Sequence, residues 1–216
     1  MEKDKFPFGA AVKFGWQKTK ENFWSLIAVT LIWIVISSMF SYSSKNFEKT
    51  MPFAYFIIQV CSTVVSMIMT LGITRIGLKV YAGEKFEVSE LFESYRLFIK
   101  YFLASILYFL AVLAGLILLI VPGIILIIRM GLYTYLIVDK QMGPVEALKE
   151  SMRLTKGNAF NLFLLWFLLL GVLLLGLLAL IVGIIVAIPV TVLAYVFAYR
   201  YLEGKNQVAQ SLPQVP

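Results

Sequence analysis

The chain has 216 residues, 61% of them hydrophobic, and a mean hydropathy of +0.89. Soluble domains are about 45–50% apolar, so this surplus excludes an ordinary water-soluble fold. The net charge of +7, from 19 Lys and Arg against 12 Asp and Glu, reads as basic residues retained at one membrane face and argues against a nucleic-acid partner. The chain has no histidine and one cysteine, Cys61, which leaves no disulfide framework within one chain and no metal cluster.

A bilayer core about 30 Å thick takes about 20 apolar residues of helix. Lipid leaves backbone groups to bond one another, so continuous Leu-rich runs must be helices. The first 22 residues are too polar for a leader core. The run from about Phe23 to Tyr42 therefore reads as a retained span, followed by a polar loop over 43–51 with Lys45 and Lys49. The second span runs from about Pro52 to Thr74 and exits at Arg75 and Lys79. The third (about Tyr101 to Ile120) and fourth (about Pro122 to Val138) are expected to meet in a tight hairpin at Val121-Pro122-Gly123. The fifth (about Ala159 to Ile181) and sixth (about Gly183 to Tyr201, carrying Pro189) meet near Val182-Gly183. Basic residues in the connecting segments divide 16 against 2, with Arg129 left inside an apolar run. That asymmetry predicts both termini on the cytoplasmic side.

Spans one, three and five each follow a short amphipathic segment. The expected apolar faces are Phe8, Ala11, Val12, Gly15 and Trp16; Val88, Leu91, Phe92, Tyr95 and Ile99; and, more weakly, Val145, Leu148, Met152 and Thr155. Each face is expected to lie down on the membrane surface. Gly143-Pro144 supplies a helix start and Gly157 a stop. Ala11 to Trp24 aligns with Ala147 to Phe160 with Ala, Lys, Thr, Lys and Asn in register, and Glu93-Ser94-Tyr95-Arg96 matches Glu150-Ser151-Met152-Arg153. Arg75 to Tyr81 likewise matches Arg129 to Tyr135. The predicted fold is an all-α polytopic bundle: one membrane domain over 1–206, with repeats at about 8–82, 87–140 and 143–202, and an unstructured tail over 207–216.

Arg129 is the sharpest candidate, because a charge well inside an apolar run normally faces a bundle interior or a watery cavity. No acidic residue lies inside a span, so Tyr133 or a lipid phosphate is its expected partner. Asp139 and Asn158 complete the candidate intramembrane polar set. Lys13, Lys20, Arg96, Lys149, Arg153 and Lys156 form the expected interfacial basic set. Tyr133, Tyr135, Tyr195, Tyr199, Tyr201 and Trp24 read as interface belts. Ala111/Gly115 and Ala179/Gly183 permit close helix contact. No HExxH, GxSxG or phosphate-loop motif is present, and no enzyme, cofactor or resident metal is expected.

Val121-Pro122-Gly123, Arg129 and the run Gly143-Pro144-Val-Glu146-Ala147-Leu148 through Ser151, Leu154 and Gly157-Asn158 resemble the membrane domain fused to some bacterial glycerophosphodiester phosphodiesterases. They also resemble the related YciC-type integral membrane proteins. The likeness covers about 85–202 well and the first third loosely. It implies a six-span module of the bacterial inner membrane without a settled activity, and no phosphodiesterase metal ligands are present to carry catalysis over. The expected function is to organise membrane lipid, chiefly anionic, or a membrane partner or second copy at the cytoplasmic leaflet. The alternatives are a transporter, permease or channel for a small or amphiphilic solute and, further off, a lipid-modifying enzyme.

Overall fold

The computed structural model describes residues 6–47 and 51–211, and among them there are helices and no strand. In chain order these are α1 (Phe8–Glu21), α2 (Phe23–Phe47), α3 (Pro52–Ala82) and α4 (Glu90–Glu93), which runs through a 3-10 turn at Ser94–Leu97 into α5 (Phe98–Leu118). Then come α6 (Ile120–Met130), α7 (Tyr133–Lys140), α8 (Pro144–Leu154), α9 (Ala159–Leu178) and α10 (Leu180–Ser211). Among the described residues six helical stretches are long and apolar enough to cross a membrane: Phe23–Ser44, Pro52–Ala82, Glu90–Leu118, Ile120–Lys140, Ala159–Leu178 and Gly183–Val208. Their outer faces expose large apolar side chains such as Phe53, Phe109, Ile117 and Leu178, a surface suited to lipid and not to water. The chain is an integral membrane protein.

Several boundaries differ from the sequence expectation. The turn between α5 and α6 falls at Leu119, in extended conformation (φ −165°, ψ 146°), and not at Pro122-Gly123. Pro122 lies in the first turn of α6, where its missing N–H costs nothing. Gly123 instead serves close contact: a Cβ there would strike Leu116. The α9–α10 break falls at Ala179, where Gly176 and Gly183 press together. The polar loop expected over 43–51 is helical as far as Phe47, and Lys49 lies outside the described residues. The tail expected from 207 continues α10 to Ser211, while 212–216 lie outside the described residues. The second amphipathic segment does not stand apart from its span but runs straight into it.

The short helices pack across the hairpins: α4 on α3, α8 on α5, α6 and α7, and α1 on α10. The contacts are close. A Cβ on Gly15 of α1 would meet the Val190 carbonyl, and one on Gly72 of α3 would meet the backbone of Leu91. Positions aligned in the sequence are buried alike: Ala11 with Ala147, Thr19 with Thr155, and Gly15 with Ser94 and Ser151. Of the expected apolar faces, Ala11, Gly15, Leu91, Leu148 and Thr155 are buried against neighbouring helices, while Trp16, Phe92, Tyr95, Ile99 and Val145 are exposed; Thr19, Ser94, Ala147 and Ser151, outside those faces, are buried as well. Helices in lipid gain nothing by hiding bulk apolar groups from it, so they meet where small residues let backbones approach.

The expected tyrosine belts are corrected in part: Tyr133 and Tyr199 are buried, while Tyr135, Tyr195 and Tyr201 are half-buried. Tyr133 is stacked between Tyr101 and Tyr108, with ring centres 5.7 and 5.3 Å away. Tyr135 stacks on Tyr195 and Tyr199, and Tyr199 is fully buried. Trp24 remains 82% exposed, as an interfacial residue would be.

Candidate functional site

The break between α6 and α7 at Gly131-Leu132 strips two backbone groups of helical partners. The Arg129 carbonyl belongs to the last turn of α6, and the Leu132 amide lies in the gap. Ser151 of α8 answers both. Its Oγ donates to the Arg129 carbonyl at 2.8 Å and accepts from the Leu132 N–H at 3.1 Å. Thr155 Oγ1 lies 3.0 Å from the same carbonyl. In return, Arg129 Nη2 donates to the Met152 carbonyl at 3.0 Å. That carbonyl sits in the last turn of α8, where a cation also meets the negative end of the helix dipole. Arg129 is therefore half-buried at the α8–α9 corner and not at the centre of the bundle. Its Nε is enclosed and has no protein partner among the described residues.

The other candidates do not gather around it. Tyr133, the expected partner, shares a 3.0 Å hydrogen bond with Ser105 instead. Asp139 belongs to a second cluster, where α7 ends against α10. Arg200 Nη2 and Nη1 reach its two oxygens at 2.7 and 2.9 Å, and the Tyr199 hydroxyl donates at 2.8 Å. Glu203 joins Arg200 (2.8 Å) to Lys140 (2.7 Å). Two acids and two bases cancel, so this cluster is a neutral clamp between helices. A comparable clamp holds α4 on α3: Lys79 pairs with Glu90 at 2.6 Å and Arg75 approaches Glu93 at 3.5 Å. Asn158 makes only a local bond, accepting from Asn161 at 3.3 Å.

The basic set lies outward. Lys13, Lys20, Arg96, Lys149, Arg153 and Lys156 are all exposed. Lys20 rests over the Trp16 ring at 4.8 Å. Arg153 grips Glu150 through two bonds of 2.6 Å, which hold the Glu150 carboxyl below its ordinary range. Lys13, Lys149 and Lys156 have no acidic partner among the described residues.

Arg129 and Lys156 share one further feature, a groove of about 560 Å³ between α6 and α9. Its walls are Val121, Ile124, Ile125 and Ile128 on one side and Ala159, Phe160 and Phe163 on the other, with Arg129, Lys156 and Gly157 at one end. Sequence reasoning had both basic residues but not their meeting, because the pairing depends on how α8 folds back onto α6. It missed Arg200 and Glu203 for the same reason. Ser151 had a signal, its place in the repeated Glu-Ser-x-Arg. No family model, curated protein or solved structure matches this chain.

Proposed function

We propose that this protein is a non-enzymatic module of the bacterial cytoplasmic membrane that organises lipid, chiefly anionic, or a membrane partner at the inner leaflet. In this reading both termini are cytoplasmic, and the fold comprises three like units of a short helix and a hairpin. It remains in keeping with the resemblance to YciC-type proteins. The observation that carries the reading is how charge is spent. The acids of the two inter-helix clusters are committed to internal pairs (Asp139, Glu203, Glu90 and Glu93), while Lys13, Lys149 and Lys156 stay exposed on or beside the short helices with no acidic partner among the described residues. A surface of unpaired bases next to apolar rings attracts anionic headgroups by about 1 kcal/mol per Lys or Arg.

The test is a lipid and partner inventory after mild extraction. The protein should carry anionic lipid enriched over the host membrane, or a recurrent membrane partner. Lipid in host proportions with no partner would end the proposal. The alternative, a transporter, needs a polar path through the bundle. Stacked tyrosines and an apolar cluster around Leu136, Leu162 and Leu165 pack the core of the described residues, which supports the first reading over this one.

A further inference from the structure

We propose that the α6–α9 groove is a binding site for a single anionic phospholipid. Its phosphate would lie at Arg129 and Lys156, and one acyl chain would lie along α6. The inference rests on the functional reading above and narrows it to one place. From Val121 to Arg129 the helix rises about 12 Å, and every groove-lining side chain on the way is aliphatic. At the basic end, Arg129 commits Nη2 to the Met152 carbonyl, its Nε is enclosed, and its Nη1 has no hydrogen-bond partner among the described residues. Lys156 stands exposed beside it without an acidic partner among the described residues. Gly157 keeps the mouth clear, because nothing stands where its side chain would project and its φ of 78° favours glycine. The first turn of α9 opens at the same point with no side-chain cap on its amides, so the helix adds a partial positive charge toward a phosphate. The proposed occupant combines the two properties that the groove combines, a negative head and an apolar tail.

The two halves of the site do different work. An acyl chain leaving bulk lipid for this groove exchanges one apolar surface for another and gains little. Selection must therefore come from the head, at about fivefold per basic residue, or about 25-fold for two. Affinity should respond strongly to headgroup charge and salt, and weakly to chain length.

The experiment uses the full chain in mild detergent. Native mass spectrometry reads retention of phosphatidylglycerol against phosphatidylcholine with the same acyl chains. The variants are Lys156→Gln, Ile125→Trp (which fills the groove), Arg129→Gln, and Lys85→Gln as an exposed control away from the groove. Thermal melting confirms that each folds; because Arg129 also bonds α8, Lys156→Gln and Ile125→Trp decide the outcome. Wild type should retain one phosphatidylglycerol, at least tenfold in excess over phosphatidylcholine. Lys156→Gln should lower that retention about fivefold, Ile125→Trp should abolish it, and the control should keep it. If wild type selects phosphatidylglycerol and both deciding variants match it, the groove is not the site although the functional reading stands. If wild type retains both lipids equally or neither, the anionic site is overturned. If the host inventory then also shows neither enriched lipid nor a partner, the functional reading falls with it.

Discussion

One hydroxyl, that of Ser151, holds together a helix that has been cut. It is fully buried and serves a carbonyl and an amide released by the Gly131-Leu132 break. Ser151→Ala should cost about 1–3 kcal/mol, the penalty for leaving buried backbone groups unbonded, read as a lower melting temperature in detergent. Thr155 blunts the loss by still reaching the carbonyl, so Ser151→Ala with Thr155→Val should cost more than the sum of the single changes. The Glu150–Arg153 pair on the same helix offers a contrast. It is a neighbour pair at the surface, and Glu150→Gln should change stability by at most about 0.5 kcal/mol. Because Arg153 holds the Glu150 carboxyl below its unfolded value, that small contribution is present at neutral pH and fades as pH falls through the folded pKa. The aligned serines were legible as a repeat. The use of Ser151 was not, since nothing local announces that a helix twenty residues away will break beside it.

Hydropathy finds a long helix more readily than it finds the face that helix buries. All six apolar stretches could be read from composition, because length and oiliness are properties of one segment. The buried faces of the short helices could be read only in part. The expected stripes held Ala11, Gly15, Leu91, Leu148 and Thr155, which are buried, but they included the exposed Trp16, Phe92, Tyr95, Ile99 and Val145 and missed Thr19, Ala147 and Ser151. Gly72 is the sharpest case, a glycine inside a long helix against which the backbone of Leu91 lies. Gly72→Val and Gly15→Val should each force a short helix off its seat. Hydrogen exchange should then rise over 90–97 for the first and over 8–21 for the second, with the other helices unchanged. The Pro122 turn was misplaced because proline marks both a chain reversal and a helix's first turn, and only Leu119 decides between them.

At the scale of the whole molecule, ion pairs between distant elements lock the helices in place. Asp139 meets Arg200 across sixty-one positions of sequence, a partnership no window along the chain could contain. Asp139→Asn removes the charge and one of the two acceptor oxygens of a bidentate bond, which leaves Glu203 as the one carboxylate on Arg200 among the described residues. The expected cost is about 2 kcal/mol, since a partly enclosed guanidinium loses its fork. The charge-reversed pair Asp139→Arg with Arg200→Asp should recover part of that loss, as a double-mutant cycle would record.

The seat of α1 lies on the final helix: Gly15 presses on Val190, and Phe6 stands edge-on to Tyr201, 5.3 Å between ring centres. A helix made early thus waits for one made much later in the same chain. Until residues near 190–201 are synthesised, α1 lacks the main surface it rests on, with Phe14 against Tyr81 as its ring contact to an earlier helix, so its seat cannot be completed from the front. A stop codon before residue 190 should leave the first helix open to protease even though every residue of it is intact. Conversely, joining the two ends by a flexible linker and opening the chain between α2 and α3 should yield a protein that still assembles.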